Sequence, residues 1–217
     1  MSTNAALANT MQDRLTDLGG IDASRVLLTP HPGQATLTDL IAINHSPNHS
    51  LYELVDGTLV EKAMSYEASV VAGTVLFILR QFVSKYRLGL ISGADGFFKL
   101  QTCTRGPDVA FVARDRLPGG VFPSQVYPQI TPNLVVEVLS PGNTKAEMSR
   151  KRLEYFHAGV QVVWMVDCTN RSVAVFTSPT DVIVLGEEEV IDGGEAVPGF
   201  VSRVGDFFAD LDIGQPV

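Results

Sequence analysis

Pro107-Asp108-Val109-Ala110-Phe111-Val112 and Leu134-Val135-Val136-Glu137-Val138-Leu139-Ser140 are apolar runs of strand character, each broken by one carboxylate. A third apolar run, Gln161-Val162-Val163-Trp164-Met165-Val166-Asp167, follows a polar stretch with helix signals: the capping box Thr144-x-x-Glu147 opens it and Gly159 lies just beyond its end. Strand, helix and strand at this spacing form a β-α-β unit whose two strands run parallel in one sheet. The region from Gly106 to Val166 therefore predicts an α/β fold, a mixed central β-sheet flanked by helices. A carboxylate buried in such a sheet is costly unless a cation or a donor meets it, so Asp108 and Glu137 both require an explanation.

The helix opened by Thr144 supplies one. Met148, Lys151 and Tyr155 stand at i, i+3 and i+7 and share the row that faces the sheet. Lys151 thus points toward the strand end carrying Glu137, while Lys145 and Arg152 are turned away, at ~100° per residue. Cutting a phosphodiester requires charge neutralisation at phosphorus, an activated water and help for the departing oxygen. Mg²⁺ can supply all three from one or two carboxylates plus water and phosphate. Asp108 and Glu137 are the candidate ligands for Mg²⁺ or Mn²⁺, and Lys151 is the candidate for orienting the water or stabilising the developing charge.

Working outward, Leu51 to Lys62 reads as two alternating runs joined by Asp56-Gly57, the signature of a type I′ hairpin. Glu53 and Glu61 alternate there with apolar neighbours and read as solvent-facing strand residues. Ser65 should cap a helix through Tyr86 that buries Val70, Phe77, Leu79 and Phe82 and stops at Gly89, with Glu67 in its first turn serving the helix dipole or an approaching site. Strands are expected at Leu90–Ser92, Phe97–Thr102 and Pro107–Val112, with a turn at Gly93–Gly96. Residues 114–132 form a Pro- and Gly-rich connection suited to lie over a site or a dimer contact. Thr36 or Thr38 should cap a brief helix through Ile43, and His45 to Ser50 reads as a turn. Ser172–Thr177 should be antiparallel, and residues 181–217 should give short acidic strands and a small helix around Phe207–Leu211 that cover the sheet edge. Residues 1–20 read as an amphipathic helix or frayed arm.

A chain of 217 residues with 45% apolar content is enough for one well-buried domain. We expect an N-terminal arm over 1–35 and a single domain over 36–217. No apolar run approaches the ~20 residues of a membrane span and no signal peptide opens the chain, so a cytoplasmic protein without membrane contact is expected. Cys103 and Cys168 have no metal or disulfide spacing and read as buried free thiols, and the four histidines lack paired spacing. The net charge of -8 argues against a nucleic-acid partner until its distribution is considered. Residues 181–217 hold nine acids and one base, leaving 1–180 neutral overall, and Arg80 to Arg116 carries seven bases against three acids. A phosphate-facing surface is therefore compatible with the composition.

Pro107-Asp108 and Glu137-Val138-Leu139 resemble the motif of the restriction-endonuclease-like PD-(D/E)XK superfamily, with Leu139 standing where the motif has lysine. More of the chain is similar to the Uma-two family (Uma2, DUF820): Tyr52-Glu53-Leu-Val-Asp56-Gly57, Pro107-Asp108-Val-Ala-Phe-Val, Leu134-Val-Val-Glu137-Val-Leu-Ser-Pro141, Lys151-x-x-x-Tyr155, Gly159-Val160 and Val163-Trp164-x-Val-Asp167. The likeness spans about Leu37 to the C-terminus. It implies a nuclease-like fold with an N-terminal hairpin and extra C-terminal strands, and a Mg²⁺- or Mn²⁺-dependent endonuclease hydrolysing DNA. It also implies that the missing lysine comes from the next helix, here Lys151. Glu147 stands where the family often has Asp, and Glu67 lies near the place of a family histidine absent here. Glu53, Glu67, Glu147 and Tyr155 are thus accessory candidates. The competing class is a non-catalytic binding or scaffold protein, a homodimer that keeps the fold. A paired-carboxylate glycosidase fits less well, since one Trp offers no aromatic-lined sugar cleft.

Overall fold

Capping chemistry sets the helices in the computed structural model, which describes residues 10–47 and 50–213. Helix α1 (Met11–Asp17) opens on the reciprocal pair Thr10 and Asp13, and α2 (Leu37–Asn44) on Thr36 and Asp39. Strands β1 (Tyr52–Val55) and β2 (Thr58–Glu61) form the expected hairpin, with Asp56 (φ 46°) and Gly57 (φ 66°) both left-handed as a type I′ turn requires. Ser65 caps α3 (Tyr66–Tyr86) through the Ala68 amide. Next come β3 (Gly89–Ser92), β4 (Phe98–Lys99), β5 (Cys103–Arg105), β6 (Val109–Ala113) and β7 (Leu134–Val138). Thr144 and Glu147 then open α4 (Lys145–His157), followed by β8 (Val162–Asp167), β9 (Ser172–Phe176), β10 (Val182–Gly186), β11 (Val190–Asp192) and β12 (Val201–Arg203). Two 3-10 turns, Val204–Phe207 and Ala209–Asp212, replace the terminal helix expected near Phe207.

The main sheet is six-stranded, in the order β10-β9-β8-β7-β6-β3, with β7 and β8 parallel and its other pairs antiparallel. A four-stranded sheet, β2-β1-β5-β4, stands beside it. The chain crosses from the small sheet to the large one at Gly106-Pro107-Asp108. One face of the main sheet, with Phe111, Val136 and Trp164, packs under α3 and under Phe200, Phe207 and Phe208. The other face, with Ala110, Val135 and Val163, packs under Met148 and Tyr155 of α4.

Several expectations are corrected. Residues 181–213 add β10 as an edge strand and cover a face of the sheet rather than its edge. Helix α3 buries Ala68, Val71, Val75, Leu79 and Val83, while Phe77, expected inside, is 60% exposed because it faces away from that row. Arg87, in the left-handed region, ends α3; Gly89 instead lets β3 approach β6, where a Cβ would lie 2.0 Å from the Val112 carbonyl oxygen. At 21 residues and mean hydropathy 1.3, α3 is long and apolar enough by length and composition to cross a membrane, although no such run was expected. Of the strand expected over Phe97–Thr102 only Phe98–Lys99 forms, and a separate strand follows at Cys103–Arg105. In the expected N-terminal arm Met11–Asp17 take the helical alternative, and Leu18, Ile21 and Val26 pack on Val55 and Val60. Residues 1–9 of that arm, and Asn48 and His49 of the expected turn, lie outside the described residues.

Candidate active site

Register brings the two carboxylates of the sheet together. Val109 pairs with Val136 in the antiparallel β6–β7 ladder, so Asp108, one step before β6, stands opposite Glu137 on the face covered by α4. Asp108 Oδ2 accepts a hydrogen bond from the Val138 amide at 2.8 Å, which fixes the side chain across the end of β7. Its side chain is 18% exposed and reaches a cleft of about 230 Å³ lined by Ser65, Ala68, Gly93, Ala94 and Ser140.

Glu137 is buried. Lys151 Nζ lies 3.3 Å from its Oε2, and the Tyr155 hydroxyl donates to Oε1. The capping box of α4 sets this register, putting Met148, Lys151 and Tyr155 on the buried side as the sequence spacing indicates. Lys145 and Arg152 do not join it: both line a second cleft of about 530 Å³ together with Asn143, Ser149 and Asp167, and Arg152 lies over the Phe176 ring.

Glu53 joins the same cluster, contrary to its reading as a solvent-facing residue. The face of β1 that carries Glu53 is covered by Arg105 and by Lys151 of α4, so Glu53 is sealed from solvent. The β1–β5 register, Leu54 with Thr104 and Val55 with Cys103, sets Glu53 across from Arg105. Arg105 Nη1 lies 2.7 Å from Glu53 Oε2, the Gly106 amide donates to Oε1 at 3.1 Å, and Lys151 Nζ is 3.3 Å from Oε2. Arg105 also pairs with Glu154 at 2.6 Å. Lys62, just past β2, completes the group: its ammonium lies 3.2 Å from Asp108 Oδ1 and donates to the Ala94 carbonyl at 3.2 Å.

Three carboxylates and three cations thus meet where the two sheets join, and the charge is divided unevenly. Burial alone would raise the Glu53 carboxyl, but Lys151, Arg105 and Lys62 hold it down at about 2. Burial raises Glu137 above the usual carboxylate range; Lys151 opposes this, while Asp108 and Glu53 add to it. Lys151 is pushed up against the opposing effect of burial by Glu137 and Glu53 together. Of the two glutamates that share Lys151, Glu53 is the one that also holds an arginine and a backbone amide.

The two other accessory candidates do not join. Glu147 is taken by Arg25, with Nη2 at 2.7 Å from Oε1, and by the cap of its own helix. Glu67 is exposed and lines the second cleft with Asp167. Sequence reasoning missed Lys62 and Arg105. Arg105 lies in a three-residue strand with no periodic signal, although a base just before Pro107-Asp108 was a usable sign. Lys62 ends the hairpin, where a lysine ordinarily reaches solvent. Both cysteines are buried free thiols, as expected, and burial raises Cys103 to about 12 and Cys168 to about 11.

Among the described residues no group of three or more His, Cys, Asp and Glu side chains gathers as a metal cluster. Asp108 and Glu137 form a two-carboxylate set, which is the sparse anionic oxygen set that Mg²⁺ accepts when water and phosphate complete its shell. By donor chemistry and by the opening of Asp108 to the cleft, these residues fit a hard divalent cation.

A family model described as "Uma2: Putative restriction endonuclease" matches residues 38–206. The chain is also similar to the crystal structure of "a putative nuclease belonging to DUF820" from Anabaena variabilis, with a TM-score of 0.68 and 16% identity over 77% of this chain and 95% of that one. At that identity the likeness concerns the fold. No curated protein matches the chain.

Proposed function

The chain belongs to the Uma2 restriction-endonuclease family, and from that premise we propose that it is a divalent-metal-dependent endonuclease hydrolysing the phosphodiester bonds of DNA. The observation that carries this reading is the pairing of Asp108 with Glu137 across adjacent strands, with Asp108 open to a cleft. These two residues would hold Mg²⁺ or Mn²⁺, which when bound supplies Lewis-acid stabilisation of the phosphate and an activated water. The protein's own part is to fix the ligands. Val138 N–H orients Asp108, and Lys151 and the Tyr155 hydroxyl hold Glu137. Arg105 and the Gly106 amide anchor Glu53, which steadies Lys151 from its other side. Lys151, 4% exposed and enclosed by two carboxylates, acts through Glu137 and is a positioning residue.

The competing reading, a scaffold that keeps the fold without chemistry, draws support from the ion pairs. Lys62 faces Asp108, Lys151 faces both glutamates, and Arg105 faces Glu53, so the charges are balanced without a metal. One experiment separates the two readings. The purified chain is incubated with supercoiled and single-stranded DNA in Mg²⁺, Mn²⁺ or chelator, and Mn²⁺ binding is measured by calorimetry. A nuclease nicks DNA only with the metal, and Asp108→Asn and Glu137→Gln each abolish both binding and nicking, because a carboxamide offers no anionic ligand. Unchanged metal affinity in both variants would remove them as ligands.

A further inference from the structure

Lys62 has no part in the nuclease reading above, yet it sits on the one ligand that faces the cleft. Asp108 has two oxygens, and they differ. Oδ2 is held by the Val138 amide at 2.8 Å, at the end of the β6–β7 ladder, where it cannot leave without disturbing the sheet. Oδ1 is met by the Lys62 ammonium at 3.2 Å. A cation arriving through the cleft therefore finds Oδ1 as the exchangeable position, and finds it already taken.

The contact is built into the fold. The Lys62 side chain is only 2% exposed, and its backbone amide is tied to the Leu51 carbonyl at the base of the hairpin. Its ammonium donates a second hydrogen bond to the Ala94 carbonyl in the turn that borders the cleft. The other two cations of the cluster each serve two carboxylates, Lys151 with Glu137 and Glu53, and Arg105 with Glu53 and Glu154. Lys62 makes its ion pair with Asp108 and acts on the two glutamates only at longer range, so its charge can be removed while Glu53 and Glu137 keep Lys151.

Resting on the metal reading proposed above, we propose that Lys62 is a tethered counter-ion that occupies Asp108 and competes with the divalent cation for it. The bare site is then kept neutral and folded, and metal binds only by displacing the ammonium or by accepting its repulsion at a few Å. Either route weakens affinity. By Coulomb's law with water-like screening, one unit charge at about 5 Å from a dication is worth about tenfold.

The test is Mn²⁺ calorimetry on the full chain and three variants, each checked for folding by thermal unfolding. Lys62→Met preserves the length and packing of the buried stem without charge, and Lys62→Gln keeps a donor for Asp108 or Ala94 without charge. Both should bind Mn²⁺ about tenfold or more tightly than the unmodified chain, and adding Asp108→Asn to Lys62→Met should abolish the gain. Equal or weaker affinity in the neutral variants would overturn the counter-ion role, while binding by the unmodified chain would leave the metal reading standing. A gain that survives Asp108→Asn also overturns it, since the charge would then act elsewhere. Absence of Mn²⁺ binding in every form overturns both readings together. Should Lys62→Met fail to fold, Lys62→Gln decides.

Discussion

Glu53 is an anion at full burial, and its environment fixes what its loss should do. Against the cost of burial, Lys151, Arg105 and Lys62 bring its carboxyl to about 2. Glu53→Gln should destabilise the protein by ~3–5 kcal/mol near neutrality, the usual result of removing one partner from a buried pair. The sign of the pH dependence follows. A carboxylate lowered on folding contributes stability above its unfolded value, ~4.3, and loses it as pH falls through the folded value. The difference between the parent and Glu53→Gln should therefore shrink between pH ~4.3 and about 2, as chemical denaturation over that range would show. Lys151 gives the matching test. Lys151→Ala leaves Glu137 and Glu53 without their shared cation, and should cost ~3–5 kcal/mol and, by loosening Glu137, lower cleavage by ~10²-fold. Lys145→Ala should change neither by a measurable amount, and the reverse order would show that the helix register is misassigned. Asp108, Glu137, Lys151 and Tyr155 were legible because a charge within an apolar run or row stands out. Glu53 was not: alternation marks which side of a strand a residue takes, but cannot say that a helix and an arginine cover that side.

At the scale of elements, the local chemistry of caps and turns was readable and the short strand was not. Thr36, Ser65 and Thr144 open their helices as their side chains dictate, and Asp56-Gly57 makes the hairpin turn. β5 is three residues long, too short for a periodic signal, yet it carries Arg105 and pairs with β1. α3 was bounded correctly at its start but misread around its axis, because apolar residues occur on both of its faces and the pattern alone does not choose between them. The hairpin matters to the site because Glu53 lies on its first strand and Lys62 just beyond its second. Its turn has no spare room: Gly57 has φ +66°, and a Cβ there would meet the Gly33 carbonyl oxygen at 2.6 Å. Gly57→Ala should therefore destabilise by ~1–3 kcal/mol, combining left-handed strain with a backbone clash. It should also shift Mn²⁺ affinity more than a surface change of equal stability cost, since the hairpin delivers Glu53, which steadies Lys151, and Lys62, which occupies Asp108. Affinity equal to that of the surface control would separate the hairpin from the site.

For the molecule as a whole, the mixed sheet with flanking helices was legible from the strand runs, while the way the N-terminal segment closes against it was not. The contacts that attach that segment are long-range, and nothing in their local sequence announces them. Leu18, Ile21 and Val26 bury against Val55 and Val60 of the hairpin. Thr144 donates to the Gly19 carbonyl, and Arg25 holds Glu147 and the carbonyls of Glu61 and Gly142. These bonds tie the segment to both the hairpin and the cap of α4, the two elements that carry Glu53 and Lys151. We propose that residues 36–217 form one nuclease-like domain that depends on residues 18–35 for the fixed placement of hairpin against helix. Deleting 1–35 should cost at least ~4 kcal/mol, since three apolar side chains leave the core at ~1.5–3 kcal/mol each and Glu147 loses its arginine. Unfolding of the full chain should remain a single transition by fluorescence of Trp164, in the core of the sheet, and by far-ultraviolet circular dichroism. Two separated transitions, or full stability after removal of 1–35, would show that the segment is an appendage and that hairpin and helix are held together by the charge cluster alone.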